Sequence, residues 1–150
     1  LIPKLIFNIL NNKNLPIYGK GKNSREWIYV QDHCEALHLI YLKGKLGESY
    51  NIGTGQNYKN IDVCNKLIKI AKKKSVKVGK KVKIKYVKDR PGHDFRYALD
   101  RNKILKKLRW KPKISLNSGL LKTFDWYKNN RSFFSRTSIT QFDKRLGLKL

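Results

Sequence analysis

A small mixed α/β unit with short strands is the fold this sequence predicts, and two patterns predict it. Apolar residues recur at helical spacing in four stretches, at 1–10, 36–41, 61–71 and 120–127. Between them lie short runs rich in β-branched and aromatic residues, at 15–18, 27–30, 49–53 and 82–87. The chain has 150 residues with no internal repeat and no break in composition, so one domain able to bury a substantial core is expected over 1–150.

Each element can be argued in order. Apolar residues at 1, 2, 5, 6, 9 and 10 make a helical stripe that Asn11-Asn12-Lys13-Asn14 ends. Leu15-Pro16-Ile17-Tyr18 is a short extended run stopped by a turn holding Gly19 and Gly21, and Trp27-Ile28-Tyr29-Val30 reads as the second arm of a hairpin. Asp32 with Glu35 three positions on reads as a capping box, opening a helix through Ala36, Leu37, Ile40 and Tyr41 that stops at Gly44. Ser49-Tyr50-Asn51-Ile52-Gly53 reads as a strand entering a loop. Asn60 or Asp62 starts the next helix, with Ile61, Cys64, Leu67, Ile68 and Ala71 on one face, and a Lys-rich surface connection follows over 72–83.

The run 82–87 alternates as a strand with one wet face, and Pro91-Gly92 makes 89–94 a loop. Asp100 caps a short helix bearing Ile104, Leu105 and Leu108. Ser115 or Asn117 opens the last clear helix, whose core side is Leu120, Leu121, Phe124 and Tyr127. Beyond Asn130 the pattern weakens, and 131–150 is read as a poorly defined tail. Leu1-Ile2-Pro3 starts within a running hydrophobic pattern, which reads as a cut inside a larger protein, whereas the far end is compatible with a natural terminus.

Charge is the loudest feature of the composition. Thirty-five Lys plus Arg against 10 Asp plus Glu leave a net +25, which by itself suggests a polyanion such as nucleic acid. The excess is mostly Lys, scattered along the whole chain among Asn and Ile, so a solvated surface is the preferred reading and nucleic acid the disfavoured partner. No apolar stretch approaches the roughly 20 residues a membrane span needs, and the N-terminus lacks a secretory pattern. Cys34 and Cys64 lack zinc-type spacing and read as two buried, reduced thiols of a cytoplasmic protein.

Candidate chemistry is sparse. Gly19-Lys20-Gly21 and Gly53-Thr54-Gly55 do not complete a dinucleotide fingerprint and read as turns. His33 and His38 belong to a helix, and no metal-ligand spacing or nucleophile motif is present, so no catalytic, cofactor or metal residue is assigned. Arg25, after a Gly-rich turn, and Arg90, in a Pro-Gly loop, differ from the scattered lysines. A guanidinium is a planar fork of donors that matches two phosphate oxygens, and two forks from separate loops suit a diphosphate, although a pair of surface salt bridges fits the spacing equally well. Tyr18 has a ring that suits a base or sugar, or else half-buries in a strand.

Five stretches then occur in one order: Leu15-Pro16-Ile17-Tyr18-Gly19, Arg25-Glu26-Trp27-Ile28-Tyr29-Val30-Gln31-Asp32-His33, Tyr50-Asn51-Ile52-Gly53, Asp89-Arg90-Pro91-Gly92-His93-Asp94 and Trp110-Lys111-Pro112. Together they resemble, from residue 1 to about 130, the C-terminal portion of the dTDP-glucose 4,6-dehydratase family of extended short-chain dehydrogenases/reductases. The Arg-x-Trp-x-Tyr-Val-x-Asp pattern is shared with nucleotide-sugar epimerases and decarboxylases. The 89–94 loop followed by Arg96-Tyr97-Ala98-Leu99-Asp100 is narrower and favours the dehydratase.

The resemblance implies a substrate-binding lobe whose N-terminal Rossmann half is missing. It implies contacts to a dTDP-sugar from Leu1, Pro16, Ile17, Tyr18, Arg25, Asn60, Asp89, Arg90, Pro91, Gly92 and His93. It further implies NAD held by the missing half, a homodimer formed through that half, and oxidation at the sugar C4, loss of water between C5 and C6, and return of hydride to C6. The family's Tyr-x-x-x-Lys pair cannot be placed here, so the fragment alone is expected to be inactive. The family product often feeds rhamnose and surface polysaccharide synthesis.

Two departures bear on the structure. Arg109 stands where the family usually has Gly, so a left-handed helix cap is expected to be lost or rebuilt. The tail from Arg131 lacks the aromatic contact residue of the family, so no site is carried there. A UDP-glucuronate decarboxylase or epimerase is the alternative enzyme and a basic nucleic-acid-binding protein the alternative of another class. A lobe without its other half should expose apolar surface and be poorly soluble.

Overall fold

The computed structural model describes residues 1–76 and 78–136. Helix α1 (Ile2–Leu10) forms where the first stripe predicts it, with Leu5, Ile6, Phe7 and Ile9 buried. Pro3 sits in its first turn, where no intrahelical donor is lost. Strand β1 (Leu15–Tyr18) follows, turning Leu15 and Ile17 into the core.

The predicted hairpin does not form. β1 pairs in parallel with β4 (Ile84–Val87), in the register Leu15↔Ile84 to Tyr18↔Val87. The short β2 (Ser24–Glu26) pairs antiparallel with β3 (Asn57–Lys59), and the two ribbons are separate. Trp27 to Tyr29 lie outside any strand. Their alternation has another cause: Trp27 packs against a main core and Ile28 against a second, smaller one, so the chain threads between two apolar clusters. The run 49–53 is likewise no strand, and its apolar Tyr50 and Ile52 serve the smaller cluster.

Helix α2 (Val30–Lys43) begins before the predicted cap. Tyr29 is the N-cap without a side-chain bond, and Asp32, in the first turn, points its carboxylate away from its own helix. The two Asp32 oxygens instead accept the backbone N–H groups of Lys113 and Ile114 at 3.2 and 2.9 Å, while Glu35 accepts from Lys113 Nζ at 2.7 Å. The capping-box residues are therefore a tether to a distant loop. Cys34 on this helix is exposed, contrary to the reading of two buried thiols. Cys64 is buried, and burial pushes its thiol up to about 12.

Helix α3 (Asn60–Lys73) starts at the first of its two predicted positions and buries Val63, Cys64, Leu67 and Ala71. The connection that follows is less superficial than predicted, since Val76, Val78 and Val82 pack against the main core. Helix α4 (Asn102–Leu108) has Arg101 as its N-cap, while the Asp100 carboxylate still accepts from Asn102 N at 2.8 Å. Helix α5 (Leu116–Asn129) is capped by Ser115, whose hydroxyl accepts from Ser118 N at 3.3 Å. Beyond it, at the start of the stretch read as a poorly defined tail, the chain forms one more turn of structure. A short helix α6 (Ser132–Arg136) buries Phe134, stacked on Tyr127 with ring centroids 4.9 Å apart. The rest of the predicted tail, 137–150, lies outside the described residues.

The main core gathers Leu5, Ile9, Leu15, Ile17, Leu67 and Phe124 from α1, β1, α3 and α5. Each such side chain contributes on the order of 1.5–3 kcal/mol by leaving water. The smaller cluster is Ala36, Ile104 and Trp110, beneath α2 and α4. Among the described residues no helix is long and apolar enough to cross a membrane.

Candidate functional site

The parallel pair β1–β4 places two loops side by side, because both strands end toward the same edge. β1 runs into the turn 19–23 and β4 into the loop 88–97, and Gly19 N donates to Val87 O at 2.9 Å. In open parallel sheets the region outside the strands' carboxyl ends is where ligands gather. Gly19 has φ +54°, and a Cβ there would lie 2.9 Å from Asp89 Oδ2, so only glycine lets the turn close against the second loop. A third element joins them at the start of α3. Ile61 N donates to Gly21 O at 3.1 Å, and Asn60 N to Asn23 O at 2.9 Å. The buried Asn23 in turn donates from Nδ2 to Asp94 O at 3.2 Å.

Inside the second loop the Asp89 carboxylate is an organiser. Its Oδ1 accepts from Arg90 N at 2.9 Å and meets His93 Nδ1 at 2.6 Å. The hydrogen bond from His93 holds the Asp89 carboxyl below its usual range. The imidazole is only 8% exposed, and the Tyr18 ring stands edge-on to it with centroids 6.0 Å apart. Tyr18, Asp89 and His93 are thus brought together. Pro91 and Gly92 form the exposed tip, with Gly92 at φ +64°. The Arg90 guanidinium is exposed and has no hydrogen-bond or ion-pair partner among the described residues.

Arg25 is held by neutral groups. Its Nη1 donates to Ser24 O and its Nη2 to Asp94 O, each at 2.7 Å. The guanidinium carbon lies 4.7 Å from the centre of the Tyr97 ring. The Tyr97 hydroxyl donates to Asp94 Oδ2 at 2.8 Å. That hydrogen bond raises the phenol above its ordinary range, while the charges of both Arg25 and Arg90 pull it back. Through Asp94 O, Arg25 is tied to the same 88–97 loop that carries Arg90.

The other predicted residues are placed unequally. Pro16 is half-buried, whereas Ile17 is 1% exposed in the main core, so the structure buries this predicted contact residue rather than presenting it to a ligand. Asn60 opens α3 beside the turn, and its Oδ1 is buried without a partner in the structure. Leu1, exposed at the head of α1, is not joined to this cluster by any described contact. Sequence reading missed Asn23, Glu26 and Tyr97. The last two lie inside the recognised motifs, at positions whose chemistry shows only once the loops are folded.

The two glycine turns do not fit a dinucleotide. A phosphate cradle needs free backbone N–H groups, but Thr54 N and Gly55 N donate to Glu26 Oε2 at 2.8 and 3.0 Å, and Leu99 N to its Oε1 at 3.0 Å. Gly19 N and Gly21 N are likewise taken by Val87 O and Tyr18 O. A cleft of about 310 Å³ lies elsewhere, lined by Trp27, Tyr58, Arg101 and Lys111 among others, and it includes none of the predicted contact residues. Among the described residues no group of three or more His, Cys, Asp or Glu is arranged to hold a metal.

Comparison with known proteins places this arrangement. The dTDP-glucose 4,6-dehydratase of Salmonella typhimurium (strain LT2) is 48% identical over 134 residues, covering 87% of this chain and 36% of the relative. The crystal structure of dTDP-glucose 4,6-dehydratase from Bacillus anthracis in complex with NAD superposes with a TM-score of 0.81 at 38% identity, over 91% of this chain and 41% of that one. The Streptomyces venezuelae dTDP-glucose 4,6-dehydratase with NAD and TYD bound gives 0.80 at 37% identity, over 89% and 39%. The chain thus spans about two fifths of the length of the relatives it matches. A family model described as GDP-mannose 4,6 dehydratase matches residues 1–123, and the chain belongs to that family.

Proposed function

We propose that this chain is the part of a dTDP-glucose 4,6-dehydratase that grips the nucleotide diphosphate of the substrate. The observation that carries the reading is the pair Arg25 and Arg90: Arg25, on β2, bonds to Asp94 O in the same loop that carries Arg90 beyond the carboxyl end of β4. Two guanidinium forks bearing on one place suit two linked phosphates. We assign Tyr18 and Asn60 to the base, ribose or sugar, with Pro16 and the 89–93 loop completing the wall, while Ile17, buried in the main core, belongs to the reading by resemblance. Leu1 belongs to the reading by resemblance alone.

The reaction assigned to the complete enzyme is conversion of dTDP-glucose to dTDP-4-keto-6-deoxyglucose and water. NAD supplies the hydride acceptor and donor when bound. It belongs to a part of the enzyme outside this chain, because the glycine turns here have spent their amides. This chain's own contribution is orientation of the sugar nucleotide, and holding a reactant in place is worth several kcal/mol of barrier. Alone it has no group for the redox step and is inactive. By the same resemblance the complete enzyme is a cytoplasmic homodimer, assembled through the part not present here.

Titration of the isotopically labelled chain with dTDP tests the reading. The Arg25 and Arg90 side-chain signals should move, Arg25→Ala or Arg90→Ala should each weaken binding by about tenfold, and both together by about a hundredfold. Unchanged affinity in the double variant would sink it. The net charge of +25 supports one other reading, attraction of a polyanion. Duplex DNA that bound more tightly than dTDP at physiological salt would favour that instead.

A further inference from the structure

We propose that Tyr97 is the positioning residue for Arg25, a shelf that aims the guanidinium without neutralising it. The proposal rests on the reading of Arg25 as a diphosphate ligand and adds to it the residue that sets its geometry.

The placement of Tyr97 is fixed from both sides. Its backbone N–H donates to Ser24 O at 3.1 Å, and its carbonyl accepts from Asn57 Nδ2 at 2.8 Å. Ser24 N donates to Phe95 O at 2.9 Å, so the segment around Arg96 runs as a parallel bridge against the head of β2. The backbone of Tyr97 is therefore fixed next to β2, and the hydroxyl bond to Asp94 Oδ2 selects the orientation of its ring. That orientation puts the ring face under the guanidinium at 4.7 Å.

Two consequences follow for Arg25. Two of its N–H groups are taken by the carbonyls of Ser24 and Asp94, and the other three are free among the described residues. No carboxylate pairs with it there: Asp94 lends Arg25 its backbone carbonyl and turns its carboxylate to the tyrosine. An arginine anchored by a salt bridge would meet an anion with part of its charge already balanced. An arginine anchored by two carbonyls and a π face is pre-oriented yet keeps its charge for the ligand. Arg90, with its guanidinium unpartnered among the described residues, lacks such a mount and is the contrast within the same site.

The 150-residue chain supports the test. In the free protein, the Arg25 Nε–H signal and side-chain protons should be displaced by the Tyr97 ring. They should relax toward ordinary arginine positions in Tyr97→Leu, and partly so in Tyr97→Phe, which keeps the ring but loses the Asp94 anchor. For dTDP, Tyr97→Leu should weaken binding by about five- to tenfold and Tyr97→Phe by about two- to threefold. On an Arg25→Ala background Tyr97→Leu should cost nothing further, because its effect passes through Arg25.

Arg25 signals unchanged in Tyr97→Leu would overturn the proposal, as would an equal loss with and without Arg25. Loss of signal dispersion across the main core in Tyr97→Leu would assign Tyr97 to folding instead, and Tyr97→Phe would then decide whether Arg25 still follows the ring. If Arg25→Ala itself left dTDP binding intact, the diphosphate reading would fail while the free-state spectra still judged the shelf.

Discussion

Arg109 closes α4 in the left-handed conformation, with φ 52° and ψ 26°, at a position where glycine is the usual occupant. For an L-residue that conformation costs about 1–2 kcal/mol, because Cβ crowds the following carbonyl. The left-handed cap, expected to be lost or rebuilt, is therefore kept, with a strained residue in it. What holds it is the next residue: Trp110 is 6% exposed in the smaller core, and only a sharp reversal at 109 delivers its indole there from the end of α4. Arg109 is itself exposed, so its side chain has little burial to lose. Arg109→Gly should then stabilise the protein by about 0.5–1 kcal/mol, the relief of strain exceeding the extra freedom glycine gives the unfolded chain. Urea unfolding would register this as a higher midpoint with an unchanged slope. A lower midpoint would mean that the Arg109 side chain makes a contact worth more than the strain.

At the scale of elements, helices were more legible than strands, and the reason is the range over which each signal acts. The helical stripes of α1, α3 and α5 are written in consecutive residues, and Ser115 caps α5 as its local sequence implies. Strand pairing is decided by partners far away. β1 chooses β4 across nearly half of the chain, while a two-glycine turn gives the same local signal as a hairpin. For the candidate site, the sequence offered the residues whose chemistry lies inside a motif, such as Arg25, Arg90 and His93. The site was not legible at Asn23, Glu26 and Tyr97, whose task is to bond other loops. Asp32 shows the same confusion of local with distant, since a capping-box spacing conceals a tether from α2 to the α4–α5 connection. Asp32 is 2% exposed, and its removal leaves a gap beside two part-buried amides that lose their acceptor. Asp32→Ala should cost about 2–3 kcal/mol in chemical denaturation, and Glu35→Ala, which frees only the exposed Lys113 ammonium, less than about 0.5. Equal losses would show that α2 is held by its general packing rather than by that carboxylate.

For the molecule as a whole, charge and exposed apolar surface act against each other. Val30, Leu37 and Tyr41 are 66%, 51% and 85% exposed. Their spacing puts them on one face of α2, opposite the buried Ala36, with the exposed Cys34 on the same stripe. Leu42 and Leu46 extend the exposed apolar surface near the helix end. Contiguous exposed apolar side chains of this kind favour association between copies in solution. The net charge of +25 opposes that association, because every copy repels every other. Salt screens the repulsion over about 8 Å at physiological ionic strength and leaves the apolar attraction in place. Self-association should therefore rise with both protein concentration and salt, and Leu37→Glu with Tyr41→Glu should abolish it without shifting the unfolding midpoint by more than about 0.5 kcal/mol in stability. Sedimentation velocity across a salt series separates this from polyanion binding, which weakens as salt rises. A wild-type chain that stayed monodisperse at high salt and high concentration, melting in one cooperative step, would show that the α2 face is too small or too broken by its polar neighbours to hold two copies together.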